Sequence, residues 1–195
     1  MAPMSLTTKS AAPTRDRLIR AAISIAAHDG LAAATTAAIA QQAEVAEGTL
    51  YRHFPSKDDL LIAAYRKLKD EVFLKAGAEA DVSAPPRERL KRTWRAIYEA
   101  YRNDREAFLF AQRFMESPLA EREGGEASQA VADMVGQLYR DGVASGDFKS
   151  LAVDLLVNLF LAPISYLLKQ EIKGRRWTDA ELDAASEAVL AGWSR

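Results

Sequence analysis

The sequence predicts an all-α protein of about nine helices, a short three-helix unit followed by a longer helical body. Three observations carry this. Breakers are few, 10 Gly and 7 Pro in 195 residues, while Ala, Leu, Arg and Glu are plentiful. No window alternates apolar and polar residues with β-branched enrichment, so strands have no support. The punctuation falls at Asp29-Gly30, 44–46, Phe54-Pro55, Ala84-Pro85-Pro86, Ser117-Pro118, Gly124-Gly125, 142–147 and 174–177, which cuts short helices first and long ones later.

Residues 1–13 carry Pro, Ser and Thr without periodicity and read as a disordered arm. Thr14 can cap a first helix that buries Leu18, Ala22, Ile25 and Ala26. Thr35 or Thr36 caps a second of about two turns, burying Ile39, Ala40 and Ala43. A turn over 44–46 leads into a third through Leu50 to Phe54, which Pro55 stops. Ser56 caps a fourth, with Lys57, Asp58 and Asp59 in its first turn and Leu60, Leu61, Ala64 and Leu68 facing inward. Further on, Leu90, Trp94, Ile97, Tyr98 and Tyr101 make one apolar stripe, Phe108, Ala111 and Met115 another, and Val131, Met134, Val135 and Leu138 a third. The last two helices are expected over Leu151 to Lys169 and Thr178 to Trp193, with Leu182, Ala185 and Val189 of the latter on one face. The apolar run Leu155 to Leu168 is about 14 residues, short of the ~20 of a membrane span and interrupted by Asn158 and Pro163. It reads as a helix buried on most sides and bent at Pro163, and no membrane is expected as a partner.

Composition excludes most enzyme classes. With no cysteine there is no disulfide framework, no thiolate metal site and no thiol nucleophile, and with only two histidines, His28 and His53, separated by the whole second helix, no zinc or iron centre is expected. A Gly-rich phosphate loop, a His-x-x-x-His pair and a Gly-x-Ser-x-Gly elbow are all lacking, so no catalytic residue, metal or cofactor is expected. The 26 basic and 27 acidic side chains nearly cancel, so any nucleic-acid footprint has to be local. Met1 to Pro13 has one Lys and no apolar segment of the kind a signal peptide carries, and the reading is cytoplasmic.

Helices two and three, joined by a turn of three or four residues in a unit of roughly 45, make a helix-turn-helix pattern. Such a unit works when its second helix projects far enough to enter a major groove about 12 Å wide. Tyr51, His53 and Lys57 place three phosphate-seeking groups within seven positions, and Thr35 and Thr36 put hydroxyls and free N–H groups at the start of the preceding helix. Gly48 costs up to about 1 kcal/mol against Ala in a helix, and makes sense where the backbone has to approach another surface closely. Singly, each has a plainer reading, as a half-buried residue of a small bundle or a frayed helix end. Lys9, Arg15, Arg17 and Arg20 against Asp16 alone make the arm and first helix basic, which suits phosphate or minor-groove contacts and equally a solvated face.

The stretch Thr36-Ala-Ala-Ile39-Ala40-Gln-Gln-Ala43-Glu44-Val45-Ala46-Glu47-Gly48-Thr49-Leu50-Tyr51-Arg52-His53-Phe54-Pro55-Ser56-Lys57-Asp58-Asp59-Leu60 resembles the tetracycline-repressor (TetR) family of bacterial transcription regulators. The shared features are an Ile-Ala pair, a tight turn, a Gly-Thr-Leu-Tyr-x-His-Phe core and a Ser-Lys-acid-x-Leu coda, within residues 14 to about 70. The resemblance implies a homeodomain-like DNA-binding domain over 14–60. Tyr51 and His53 would touch operator phosphates, Lys57 would pair with a phosphate beside the fourth helix, and Thr36 would do so from the second. Glu47, Gly48 and Thr49 would sit at the end of the recognition helix nearest the bases, and Ala46 and Arg52 of the same unit would also belong to the DNA-binding set. Two departures stand out, Glu44 where the family has Gly and Ala46 where it has Ser or Thr. Positive φ at Glu44 would cost about 1 kcal/mol, and the missing cap at Ala46 a similar amount. Glu47 is open to two readings: a carboxylate accepting from a cytosine amino group, or a first-turn acid stabilised by the helix dipole by about 0.3–1 kcal/mol.

For residues 61–195 the resemblance implies effector binding and dimerisation, the last two long helices pairing with their symmetry mates. Trp94, Tyr98, Phe110, Phe114 and Tyr166 could wall an apolar pocket, with Arg113 facing an acidic ligand or closing a salt bridge. The partners expected are a palindromic double-stranded DNA operator, a second copy of the chain, and a small apolar or aromatic effector that releases a repressor from DNA. A dimeric DNA-binding protein without an effector is the other reading, favoured if the body has a filled core in place of a cavity.

Overall fold

The computed structural model describes residues 12–78 and 83–194, so the arm expected over 1–13 lies outside the described residues except for Ala12 and Pro13. Ten helices and no strand occur among the described residues: α1 Thr14–Asp29, α2 Thr36–Gln42, α3 Glu47–His53, α4 Lys57–Ala78, α5 Pro86–Asn103, α6 Arg105–Met115, α7 Leu119–Glu123, α8 Glu126–Ser145, α9 Val153–Ile172 and α10 Asp179–Ala191. The tenth arises at a break the sequence reading passed over. Asp104 leaves the helical region (φ −132°, ψ 81°), and its carboxylate accepts from the Ala107 N–H at 3.0 Å, ending α5 and capping α6 in one residue.

Most caps follow the local sequence. Thr35 accepts from the Ala38 N–H, and Ser56 accepts from the Asp59 N–H while donating to the Asp59 carboxylate. Thr178 and Glu181 form a reciprocal capping box on α10. Thr14 does not cap: Pro13 takes the N-cap position without a side-chain bond, and its carbonyl accepts from the N–H groups of Asp16 and Arg17. The fixed φ of proline starts the helix one residue earlier than expected.

α1 packs on α2, α4 and α6, while α5 is the hub of the body, touching α4, α6, α8, α9 and α10. Around this hub the indole of Trp94 donates to the Phe160 carbonyl at 3.0 Å, and Trp193 packs on Tyr139, Phe148 and Phe160. Gly142 lets Phe148 lie on α8, since a Cβ there would stand 2.1 Å from the ring. α4 carries the chain without a break from the three-helix head into this body.

α9 corrects an expectation. It starts at Val153 and ends at Ile172, later than expected at both ends, and runs through Pro163 as one helix. It contains the one stretch among the described residues, Leu155–Ile172, that is long and apolar enough to cross a membrane, but it is seated on α5, α8 and α10. Nor is it buried on most sides. Leu156, Phe160, Ile164, Leu167 and Leu168 face the core, whereas Leu155 (52%), Leu159 (48%) and Tyr166 (60%) stay exposed. On α10 the inward residues are Leu182, Ser186 and Leu190. Ala185 and Val189 instead join Leu159, Pro163 and Tyr166 in lining an apolar groove of about 570 Å3 between the two helices.

Candidate nucleic-acid interface

α3 is held by one side. Leu50 is fully buried and Phe54, just past the helix end, nearly so, and truncation of a buried leucine to alanine costs about 2–5 kcal/mol. That anchoring turns Glu47, Gly48, Tyr51 and Arg52 outward, as the i, i+1, i+4, i+5 spacing requires. Thr49 is half-buried and donates its N–H to the Ala46 carbonyl, and His53 is exposed at the C-terminal end.

Nothing packed around Gly48 among the described residues requires a glycine. A Cβ built there meets nothing within 4 Å, and its φ is not in the left-handed region. Its bare backbone is therefore presented outward. The cations and hydroxyls around it are also uncommitted: Tyr51, Arg52, His53 and Lys57 have no hydrogen-bond or ion-pair partner among the described residues. Arginines of the body are engaged, as in Arg66–Glu123, Arg87–Glu187, Arg89–Asp141 and Arg102–Glu99. The acids beside Lys57 are drawn off it, Asp58 to Arg122 and Asp59 to Ser56.

Other expected contacts are placed differently. Thr36 donates its hydroxyl to the Glu47 carboxylate at 2.6 Å, which leaves only its backbone N–H free at the start of α2. Ala46 stands at the N-cap of α3 with no side-chain cap, and Glu47 does not supply one. Glu44 adopts φ 54°, the one non-glycine positive φ among the described residues. Of the basic residues of α1, Arg15 lies 5.1 Å from the Phe54 ring, Arg17 has a buried Nε without a hydrogen-bond partner among the described residues, and Arg20 pairs with Asp104 at 2.8 Å.

That last pair belongs to a seam that sequence reasoning missed. Glu106 of α6 takes both the Ser24 hydroxyl and His28 Nε2, and Arg113 donates to the carbonyls of Ala26 and His28. Arg113 therefore spends its guanidinium on the carbonyls at the end of α1 and makes no salt bridge among the described residues. Burial pushes the Asp104 carboxyl up, but the Arg20 and Ala107 hydrogen bonds outweigh it and hold the group below the usual carboxylate range.

The expected aromatic pocket is corrected. Trp94 stacks on Tyr98 and faces α9, where the Tyr98 hydroxyl donates to Glu171 at 2.8 Å. Phe114 instead stacks on Tyr65 of α4 at 4.2 Å, with Phe110 against it. These four rings are almost fully buried and fill their own space. Tyr166 points the other way, into the α9–α10 groove. The break at Asp104 is the physical reason, since it turns the α5 and α6 stripes toward different neighbours.

Against known proteins, residues 18–64 match the family model for bacterial regulatory proteins of the tetR family, and residues 85–194 match a tetracyclin repressor-like C-terminal domain. The HTH-type transcriptional repressor KstR2 of Mycolicibacterium smegmatis is 29% identical over 158 residues, covering 77% of this chain and 75% of that protein. A TetR family transcription regulator from Marinobacter aquaeolei superposes with a TM-score of 0.79 at 23% identity, covering 93% of this chain and 95% of that one. The regulator FadR of Bacillus subtilis, solved in complex with stearoyl-CoA, gives 0.77 at 22% identity, with 90% and 95% covered. At these identities the superpositions speak for the fold.

Proposed function

Because this chain belongs to the tetR family of bacterial regulatory proteins, and so is a DNA-binding transcriptional regulator and not an enzyme, we propose that it acts as a homodimeric repressor on a palindromic operator. The observation that carries the reading is the outward face of α3 together with the start of α4, where a Cβ at Gly48 would meet nothing within 4 Å and where, among the described residues, Tyr51, Arg52, His53 and Lys57 have no hydrogen-bond or ion-pair partner. Residues 14–60 read DNA in the cytoplasm, and 61–195 dimerise and receive the effector. α3 enters the major groove, Gly48 lets its backbone close on the duplex, and Tyr51, His53 and Lys57 fix the register on phosphates.

The dimer reading rests on the groove between α9 and α10. Leu151, Leu159, Pro163, Tyr166 and Val189 line it, and Leu155 extends the exposed apolar stripe of α9. Soluble monomers seldom leave such a surface open. A second copy, bringing α9 and α10 across a two-fold axis, covers it with its own identical face.

Control by a small molecule is supported by the FadR relative solved with stearoyl-CoA. The near-complete burial of Trp94, Tyr98, Phe110 and Phe114 favours either a seat outside that interior or the alternative of a dimeric DNA-binding protein without an effector.

Selection of binding sites from random DNA tests the reading. A palindrome with half-sites about one helical turn apart is expected; recovery of no motif, or of a non-palindromic one, refutes it. Leu159→Glu is expected to give a monomer by sedimentation and to lose the selected operator together with the dimer.

A further inference from the structure

Beside the C-terminal end of α9 a cleft of about 340 Å3 opens against the junction of α5 and α6, within the size range of small-ligand pockets. Its apolar floor comprises Tyr101, Phe108, Leu168 and Ile172. Its rim is basic: Arg102 from α5, Arg105 from α6, and Arg175 and Arg176 from the turn after α9, against the single carboxylate of Glu171.

That carboxylate is already committed. Glu171 accepts from the Tyr98 hydroxyl at 2.8 Å and lies 3.6 Å from Arg102. Arg102 also reaches Glu99, and Arg175 stacks on the Trp177 ring at 3.8 Å and pairs with Glu181. Arg105 and Arg176 have no carboxylate partner among the described residues. Nor are the arginines of the turn needed to satisfy the end of α9, whose last carbonyls accept from the backbone N–H groups of Lys173, Gly174 and Arg175. Two uncommitted guanidiniums above an apolar floor match a carboxylate or phosphate carried on an apolar body, since the guanidinium fork accepts either anion in bidentate fashion.

The position of Arg105 gives the cleft a consequence. Its neighbours on either side, Asp104 and Glu106, are the two acids that hold α1, through Arg20 and through Ser24 and His28. α1 in turn carries α2 of the reading head. A ligand drawing on Arg105 pulls on the residue between those two joints.

We propose that this cleft is the effector site, and that it takes an organic anion whose single carboxylate or phosphate lies between Arg105 and Arg176 while its short apolar body rests on Phe108 and Leu168. The proposal rests on the reading of the chain as an effector-controlled regulator. It goes beyond that reading in naming the site and the charge of the ligand.

The test uses the intact dimer with octanoate, octyl phosphate and, as the uncharged control, octanol. Calorimetry and the fluorescence of Trp177 report binding, with Trp177→Phe identifying its share of the signal. Octanoate or octyl phosphate is expected to bind at least tenfold more tightly than octanol, and the preferred headgroup tells carboxylate from phosphate ligands. The double variant Arg105→Gln/Arg176→Gln, both exposed side chains, should keep its melting temperature and lose at least tenfold in anion affinity, whereas Lys173→Gln, outside the cleft, should not. On the selected operator, a saturating anion should weaken wild-type binding at least fivefold and leave the double variant unmoved. Equal binding of octanol, or undiminished anion binding by the double variant, overturns the site. Arginine-dependent binding that leaves operator affinity unchanged overturns its role as the effector site. Failure to select any operator instead refutes the DNA-binding reading, and the calorimetry is independent of it.

Discussion

The hydroxyl of Thr36, the first residue of α2, donates to the carboxylate of Glu47, the first residue of α3, at 2.6 Å. The bond ties the N-termini of the two helices of the reading unit and occupies two groups that the sequence pattern directs at DNA. Glu47 also sets a negative charge where the phosphate backbone would approach. Glu47→Ala is expected to free the Thr36 hydroxyl, remove that repulsion and tighten binding to operator and random DNA alike, with an unchanged selected motif. A base preference lost in the variant would instead mean that Glu47 leaves Thr36 and reads a cytosine amino group.

Among the described residues Lys57 has no carboxylate partner, and its neighbours Asp58 and Asp59 are engaged by Arg122 and Ser56. Lys57→Ala is expected to weaken binding to all sequences equally. The slope of log affinity against log salt should fall by about 2 for a dimer, one phosphate contact per protomer. Titrations at several salt concentrations measure it, and a loss confined to the selected operator would contradict a phosphate role.

Glu44 stands at φ 54° in the turn between α2 and α3, and its side chain is exposed. Glu44→Gly removes the left-handed strain and gives back part of the gain as unfolded-state entropy, for a net stabilisation of about 0.5–1 kcal/mol. Ala46→Ser supplies the missing N-cap of α3 and should add about 1 kcal/mol. Thermal unfolding of each single variant checks both; a lower melting temperature in Glu44→Gly would show that the turn carries no strain there.

Lys69 lies over the rings of Tyr65 and Phe73, and burial pushes its ammonium down to about 8, with the Glu123 carboxylate pulling the other way. The folded value lies below the unfolded 10.5, so between the two the unfolded chain holds the proton that the folded chain has released. Stability therefore rises with pH across that window, and the charged form is a cost below it. Lys69→Met is expected to stabilise the protein near neutrality on the order of 1–2 kcal/mol, less than full linkage because two cation–π contacts are lost. The gain should shrink as pH climbs from 8 to 10.5; a constant difference across that range would rule the account out.

The sequence by itself determined what is written in short range. Caps such as Thr35, Ser56 and Thr178, the stop at Pro55 and the compact pattern from Ile39 to Leu60 are each read within a few residues, and so are the helices and the reading unit they define. Glu44 and Ala46 were legible in the same way, as departures from a local pattern. Tertiary structure decided what depends on partners distant in the chain. Asp104 becomes a joint because Arg20, 84 positions away, meets it. An apolar stripe buries the same surface against a ring, a ligand or a second copy, so no spacing tells that Trp94 and Phe114 fill the core while Leu159 and Tyr166 stay open. Nor does the sequence show which cations lack a carboxylate partner among the described residues, since Arg105 and Arg176 come from separate segments and only folding brings them to one cleft.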